Sequence, residues 1–194
     1  MGSTSAKFVS DILHPLINPI VAFVLLTATD KNLGLVEKVE FTSIALIFAL
    51  GFIAAYARFL IHKGAIETVD TAPREQRPGP LAICATIYVL GFLALRVVQA
   101  PNLVQGLMFC YAANSLILAI ISCWWKVSVH TTAMATPLVV FSYHLGYVIA
   151  PLYLLIPLVG SSRVILKRHT IGQVIVGAFL GVSLTAVQIQ FLFQ

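Results

Sequence analysis

The feature that most constrains this chain is a series of unbroken apolar runs, each close to the ~20 residues a helix needs to cross bilayer hydrocarbon. They stand at about 12 to 28, 41 to 60, 80 to 98, 103 to 124 and 170 to 192, with a longer block at 131 to 160. The bilayer core holds no water, so a spanning backbone must satisfy its own N–H and C=O groups, as helices or as a closed barrel. The runs show little period-two alternation, which selects helices. The block at 131 to 160 is too long for one simple span and too short for two full ones, and it carries Pro137, Pro151 and Pro157. It is expected to split near Gly146 into two short or kinked helices. The expected fold is all-α: a polytopic membrane bundle of six or seven transmembrane helices, with residues 1–194 forming one membrane-embedded domain.

Composition points the same way. The chain is 59% hydrophobic and 10% charged, against about 45–50% and about 25% in a soluble domain. The formal charge of +5 comes from basic residues scattered between apolar runs, so no nucleic-acid partner is expected. Cys84, Cys110 and Cys123 lack paired spacing and read as small hydrophobes. The first run follows a short polar start whose only cation is Lys7, and it ends at Thr27 to Asp30 without a cleavage site. It reads as a retained helix rather than a signal peptide.

Three polar segments interrupt the runs, at 62 to 79, 126 to 131 and 161 to 169, and helix parity places them on one face. All seven acids, Asp11, Asp30, Glu37, Glu40, Glu67, Asp70 and Glu75, precede residue 76. A carboxylate-rich magnesium or calcium site is therefore not expected beyond it, and neither metal nor cofactor is assigned. The cations continue with Arg77, Arg96, Lys126, Arg163, Lys167 and Arg168. Cations kept beside helix ends can bind an anion.

The strongest constellation is Ser162-Arg163, then His169 and Gln173. On a helix beginning near 169, residues four apart share a face. The Gln173 oxygen can then accept the His169 Nδ1 proton and leave Nε2 free as a nucleophile. The second is Lys126, Ser128 and His130 at the start of an apolar helix. There Ser128, the N-terminal N–H groups and Lys126 can cradle phosphate while His130 protonates a leaving oxygen. The third is Arg74 and Arg77 before Pro78, two guanidiniums three apart that suit several phosphate oxygens. His14 and His62, at helix edges, read as structural, and Trp124 and Trp125 as an interface belt.

Together these three resemble the type 2 phosphatidic acid phosphatase superfamily, whose motifs are Lys-x6-Arg-Pro, Pro-Ser-Gly-His and Ser-Arg-x5-His-x3-Asp. The third is matched at Ser162, Arg163 and His169, with Gln173 for Asp. The second is matched at Ser128 and His130, with Val127 and Val129 for Pro and Gly. The first is matched at Arg77 and Pro78, with Asp70 at the Lys position. The resemblance implies a phosphatase-like domain that works without metal. His169 attacks phosphorus, His130 is the acid, Gln173 orients His169, and Arg77, Arg163 and Ser128 hold phosphate oxygens. Arg74 or Lys126 is expected to replace the missing cation. A lipid phosphate is the implied substrate and membrane lipids the other partners. The expected location is the cell (plasma or inner) membrane, with the site on the cation-rich, cytoplasmic face. A transporter of a phosphorylated solute and a silent lipid-binding relative are the alternatives.

Overall fold

The computed structural model describes residues 1–64 and 73–194; Glu67 and Asp70, named above, lie outside the described residues. Its helices are α1 (Ser3–Ile12), α2 (Asn18–Ala28), α3 (Leu35–His62), α4 (Pro78–Val97), α5 (Asn102–Ser122), α6 (Val129–Leu145), α7 (Leu155–Ile165) and α8 (Ile171–Leu192). Among the described residues there is no strand. Among the described residues five stretches are long and apolar enough to cross a membrane: Leu35–His62, Arg74–Val97, Asn102–Ser122, Val129–Ile165 and Ile171–Leu192. The chain is a helical membrane bundle.

The stretch Val129–Ile165 is not one straight rod. At Gly146, φ is 70°, a left-handed conformation that glycine adopts without steric cost. A 3-10 segment, Gly146–Leu154, leads back into α7. Ser142 Oγ lies 2.9 Å from the Tyr153 hydroxyl, and Gly160 lies against Thr131. These pairings run in opposite senses along the chain, so α6 and α7 form a hairpin, as the split near Gly146 requires. The run at 12 to 28 differs from its expected single span. Pro15 drives the residue before it out of helical geometry and Pro19 sits in the first turn of the next helix, so the run breaks between them. What remains is α2, of 11 residues, about 16 Å long and shorter than the hydrocarbon. Ahead of it α1 forms a separate helix that buries Ala6 and Ser10.

Between helices in lipid there is little hydrophobic drive, so close packing and hydrogen bonds supply the attraction. Helices α6 and α8 show both. Thr131 Oγ1 donates to the Val174 carbonyl at 3.1 Å and Thr132 Oγ1 to that of Gly177 at 2.8 Å. Deeper, Asn114 Nδ2 on α5 donates to Thr136 Oγ1 at 3.0 Å and Thr185 Oγ1 at 3.1 Å, tying three helices together. The α6–α8 partners advance together along both helices, which makes the pair parallel and puts both N-termini at one end of the bundle. The approach is close enough that a Cβ on Gly177 would stand 2.6 Å from the Ser128 carbonyl oxygen, and one on Gly181 2.8 Å from that of Thr132.

Gly177→Ala should therefore force α8 away from α6 and cost about 1–3 kcal/mol, the usual range for overpacking. Gly172→Ala is the matched control, because an added Cβ there meets nothing within 4 Å. Thermal unfolding in detergent should show a lowered midpoint for the first variant alone.

Candidate active site

The turn between α7 and α8 explains the spacing of Arg163 and His169. Helix α7 ends in a Schellman motif: the Arg168 N–H bonds the Arg163 carbonyl at 3.0 Å and the Lys167 N–H that of Val164 at 2.9 Å. The residue in left-handed geometry is Lys167, at φ 54°. The His169 N–H also reaches the Arg163 carbonyl, at 3.3 Å. Thr170 then caps α8, its hydroxyl accepting from the Gln173 N–H at 3.3 Å. Five residues are thus what it takes to close one helix and open the next.

Gln173 completes a capping box. Its Oε1 accepts from the Thr170 N–H at 3.2 Å and lies 3.0 Å from His169 Nδ1. A backbone N–H can only donate, so the atom facing it must be the amide oxygen. The same oxygen can only accept from His169, which places the imidazole proton on Nδ1 and leaves a lone pair on Nε2. Burial first, then the charges of Arg77, Lys126 and Arg163, hold the His169 pKa down to about 4, against an opposing contribution from Gln173. The ring is neutral at pH 7.

The N-termini of α6 and α8 are joined where the Ser128 N–H bonds the Gln173 carbonyl at 3.2 Å. Ser128 is fully buried and caps α6, its Oγ accepting from the Thr131 N–H at 3.4 Å; such a cap is worth about 1 kcal/mol. Arg77 Nη1 donates to the Val127 carbonyl at 2.9 Å, which draws the start of α4 to the same place. The Lys126 pKa is lowered, by burial first and then by Arg77, Arg163 and Arg168. Each cation raises the cost of its neighbours' charge, and a bound anion would relieve all of them.

A cavity of about 150 Å3 opens beside this cluster. Arg77, His130 and Arg163 line its polar side, and Leu81, Cys84 and Tyr88 continue its wall along α4. Arg163 and His130 are 1% and 5% exposed. Arg74 reaches the same loop as Arg77, donating to the Trp124 carbonyl at 2.7 Å, and pairs with Glu75 at 3.1 Å, but it does not line the cavity. Two residues outside the sequence-derived set also reach the site. Ser10 Oγ accepts from Arg163 Nη1 at 2.7 Å, and His14 lines the cavity with its ring edge to face with that of His130, centroids 5.2 Å apart. Among the described residues no three His, Cys, Asp or Glu side chains gather as metal ligands.

Residues 109–194 match the family model of the PAP2 superfamily, the family that the three motifs resemble. The matched region contains Ser128, His130, Arg163, His169 and Gln173, while Arg77 precedes it. The match supports a phosphatase-type function in general. No curated protein and no solved structure matches the chain.

The charge of the cluster carries a prediction of its own. Removing a neighbouring cation favours the protonated imidazole, so Arg77→Gln should raise the His169 pKa from about 4 toward the ordinary ~6.5. Histidine NMR titration in micelles, with His169 assigned by its absence in His169→Asn, reads this directly. A wild-type midpoint near 6.5 would contradict the burial and charge described here.

Proposed function

We propose that this chain, with residues 109–194 matching the PAP2 superfamily, is a metal-independent phosphatase acting on a lipid phosphate or diphosphate through a phosphohistidine. One observation carries the mechanism: Gln173 Oε1 accepts from both Thr170 and His169, presenting the Nε2 lone pair of a neutral imidazole among cations. That lone pair attacks phosphorus and the bond to the leaving oxygen breaks. His130 gives that oxygen a proton. Water then attacks phosphorus as His130 takes its proton, a phosphorus–oxygen bond forms while the phosphorus–nitrogen bond breaks, and phosphate leaves with His169 restored. Arg77 and Arg163 hold the equatorial oxygens bidentately, with Lys126 as a point charge and the N-termini of α6 and α8 adding dipoles. Ser128 completes the phosphate cradle, and Arg74 adds a positive charge beside it from the same loop attachment.

An apolar tail is supported by the cavity wall. Leu81, Cys84 and Tyr88 follow Arg77 along α4, and the eleven-residue reach from Arg77 to Tyr88 is about 16 Å of helix. Such a slot takes the headgroup-proximal part of an acyl or prenyl chain, with its phosphate at the cationic end. The cation-rich end faces the cytoplasm of a cell membrane by the positive-inside rule. A transport site would need its cations near the middle of the bilayer, whereas Arg77, Lys126 and Arg163 stand at helix ends.

The test is turnover of a lipid phosphate and of an aryl phosphate by detergent-purified protein in excess EDTA. His169→Ala should lose more than about 10⁴-fold on both, as removal of a nucleophile does. Gln173→Ala should lose about 10–100-fold, the scale on which orienting partners of a functional imidazole act. His130→Ala should lose about 10²–10⁴-fold on the lipid and far less on the aryl ester, whose leaving group needs no proton. His144→Ala is the control; its Nε2 meets Thr29 Oγ1 at 2.8 Å, away from the site. Wild-type turnover by folded His169→Ala would overturn the proposal.

A further inference from the structure

The family match covers residues 109–194, yet two contacts to the proposed machinery come from the first fourteen residues. Helix α1 packs on α7 through Ala6 and Ser10, which are 0% and 1% exposed. Ser10 Oγ takes a hydrogen bond from Arg163 Nη1 at 2.7 Å, across 153 positions of sequence. A buried guanidinium is oriented by its acceptors, and this hydroxyl is one of those that set where the N–H groups of Arg163 point. Beyond α1, the Leu16 N–H donates to His14 Nδ1 at 3.2 Å. Because the backbone N–H only donates, the His14 ring proton is on Nε2 and the ring is fixed against its own backbone. That fixed ring stands at 88° to the His130 ring, and both line the cavity.

We infer that the segment Ser10 to His14 is a working part of the site, in which Ser10 positions the Arg163 guanidinium and His14 positions the His130 imidazole. This rests on the phosphatase reading. The imidazole of a general acid must meet the leaving oxygen within hydrogen-bond reach, and its second side-chain torsion is intrinsically broad, so each neighbour that packs on the ring narrows its placement. The His14 ring is a wall that narrows that sweep. Neither residue needs to touch the substrate. Both are positioning residues, and the interruption between α1 and α2 at Pro15 leaves His14 outside either helix, where it lines the cavity.

The experiment follows turnover of a lipid phosphate and an aryl phosphate, with variants checked by monodisperse gel filtration. His14→Ala should lower lipid turnover by about 10-fold and aryl turnover by under about 3-fold, following the leaving-group dependence of its partner. It should add nothing in a His130→Ala background, and His14→Phe, which keeps a ring, should recover most of the loss. If His14→Ala does not fold, His14→Asn keeps an acceptor for Leu16 and removes only the ring. Ser10→Ala should weaken vanadate inhibition by about 10-fold, the scale of a hydrogen bond to a charged group, and add nothing to Arg163→Ala. Equal losses on both substrates, or additivity in the double variants, would show a merely structural role and overturn the inference. Turnover that depends on His169 but is unchanged in Ser10→Ala and His14→Ala overturns the inference alone. A wild-type protein without turnover overturns the phosphatase reading and this inference with it.

Discussion

The parallel contact of α6 and α8 is the constraint from which the site follows. Membrane helices gain little from hiding apolar surface from one another, so two that lie this close need small residues and polar bonds to hold them. Gly177 and Gly181 remove the side chains that would stand between them, and Thr131 and Thr132 bond across to α8 carbonyls. Because the pair is parallel, two sets of unsatisfied N–H groups emerge at one depth. The Ser128 to Gln173 backbone bond locks those two starts together. His130 in the first turn of α6 and His169 just before the cap of α8 inherit their places from this contact.

The electrostatics of the cluster have two sides. Burial together with Arg77, Lys126 and Arg163 makes His169 a weak base and keeps it unprotonated. The same charges are the ones a phosphate dianion would neutralise. If such an anion enters, the repulsion that depressed the imidazole falls and its basicity rises, so under the proposed mechanism the ring would become a stronger nucleophile as phosphate arrives. An aspartate at position 173 would have offset the cations permanently. Gln173 orients the ring without adding charge, which leaves the ring's basicity to be set by the cations and by what they bind.

Much of this was legible in the residues. The apolar runs announced a helical membrane bundle, and Gly146 between prolines announced the fold-back, because lipid leaves the backbone few choices. The Arg163 to His169 spacing was legible as a motif, but its cause was hidden: the left-handed position is Lys167, where glycine would have been the readable signal. The single span expected from residues 12 to 28 failed because Pro15 and Pro19 outweigh the apolar run. Arg74, three residues from Arg77, bonds the Trp124 carbonyl of the loop whose Val127 carbonyl Arg77 holds, a shared attachment that the spacing alone could not specify. Ser10 and His14 left no local trace, since their partners lie on helices more than a hundred positions away and only tertiary packing brings them together.

The cavity wall that runs from Arg77 to Tyr88 has a consequence for rate. A substrate whose tail lies in such a slot is drawn from a two-dimensional solution, the leaflet, and not from the bulk. Its effective concentration is then a mole fraction, fixed by what other lipids surround it. Inert lipid added at constant substrate would dilute the reaction on the surface, while a tailless phosphate ester, arriving from water, would not feel it. Under the proposed reaction the two products would part company in the same way, the lipid remaining in the bilayer and the phosphate leaving for the solvent, so that reversal would require a meeting between phases.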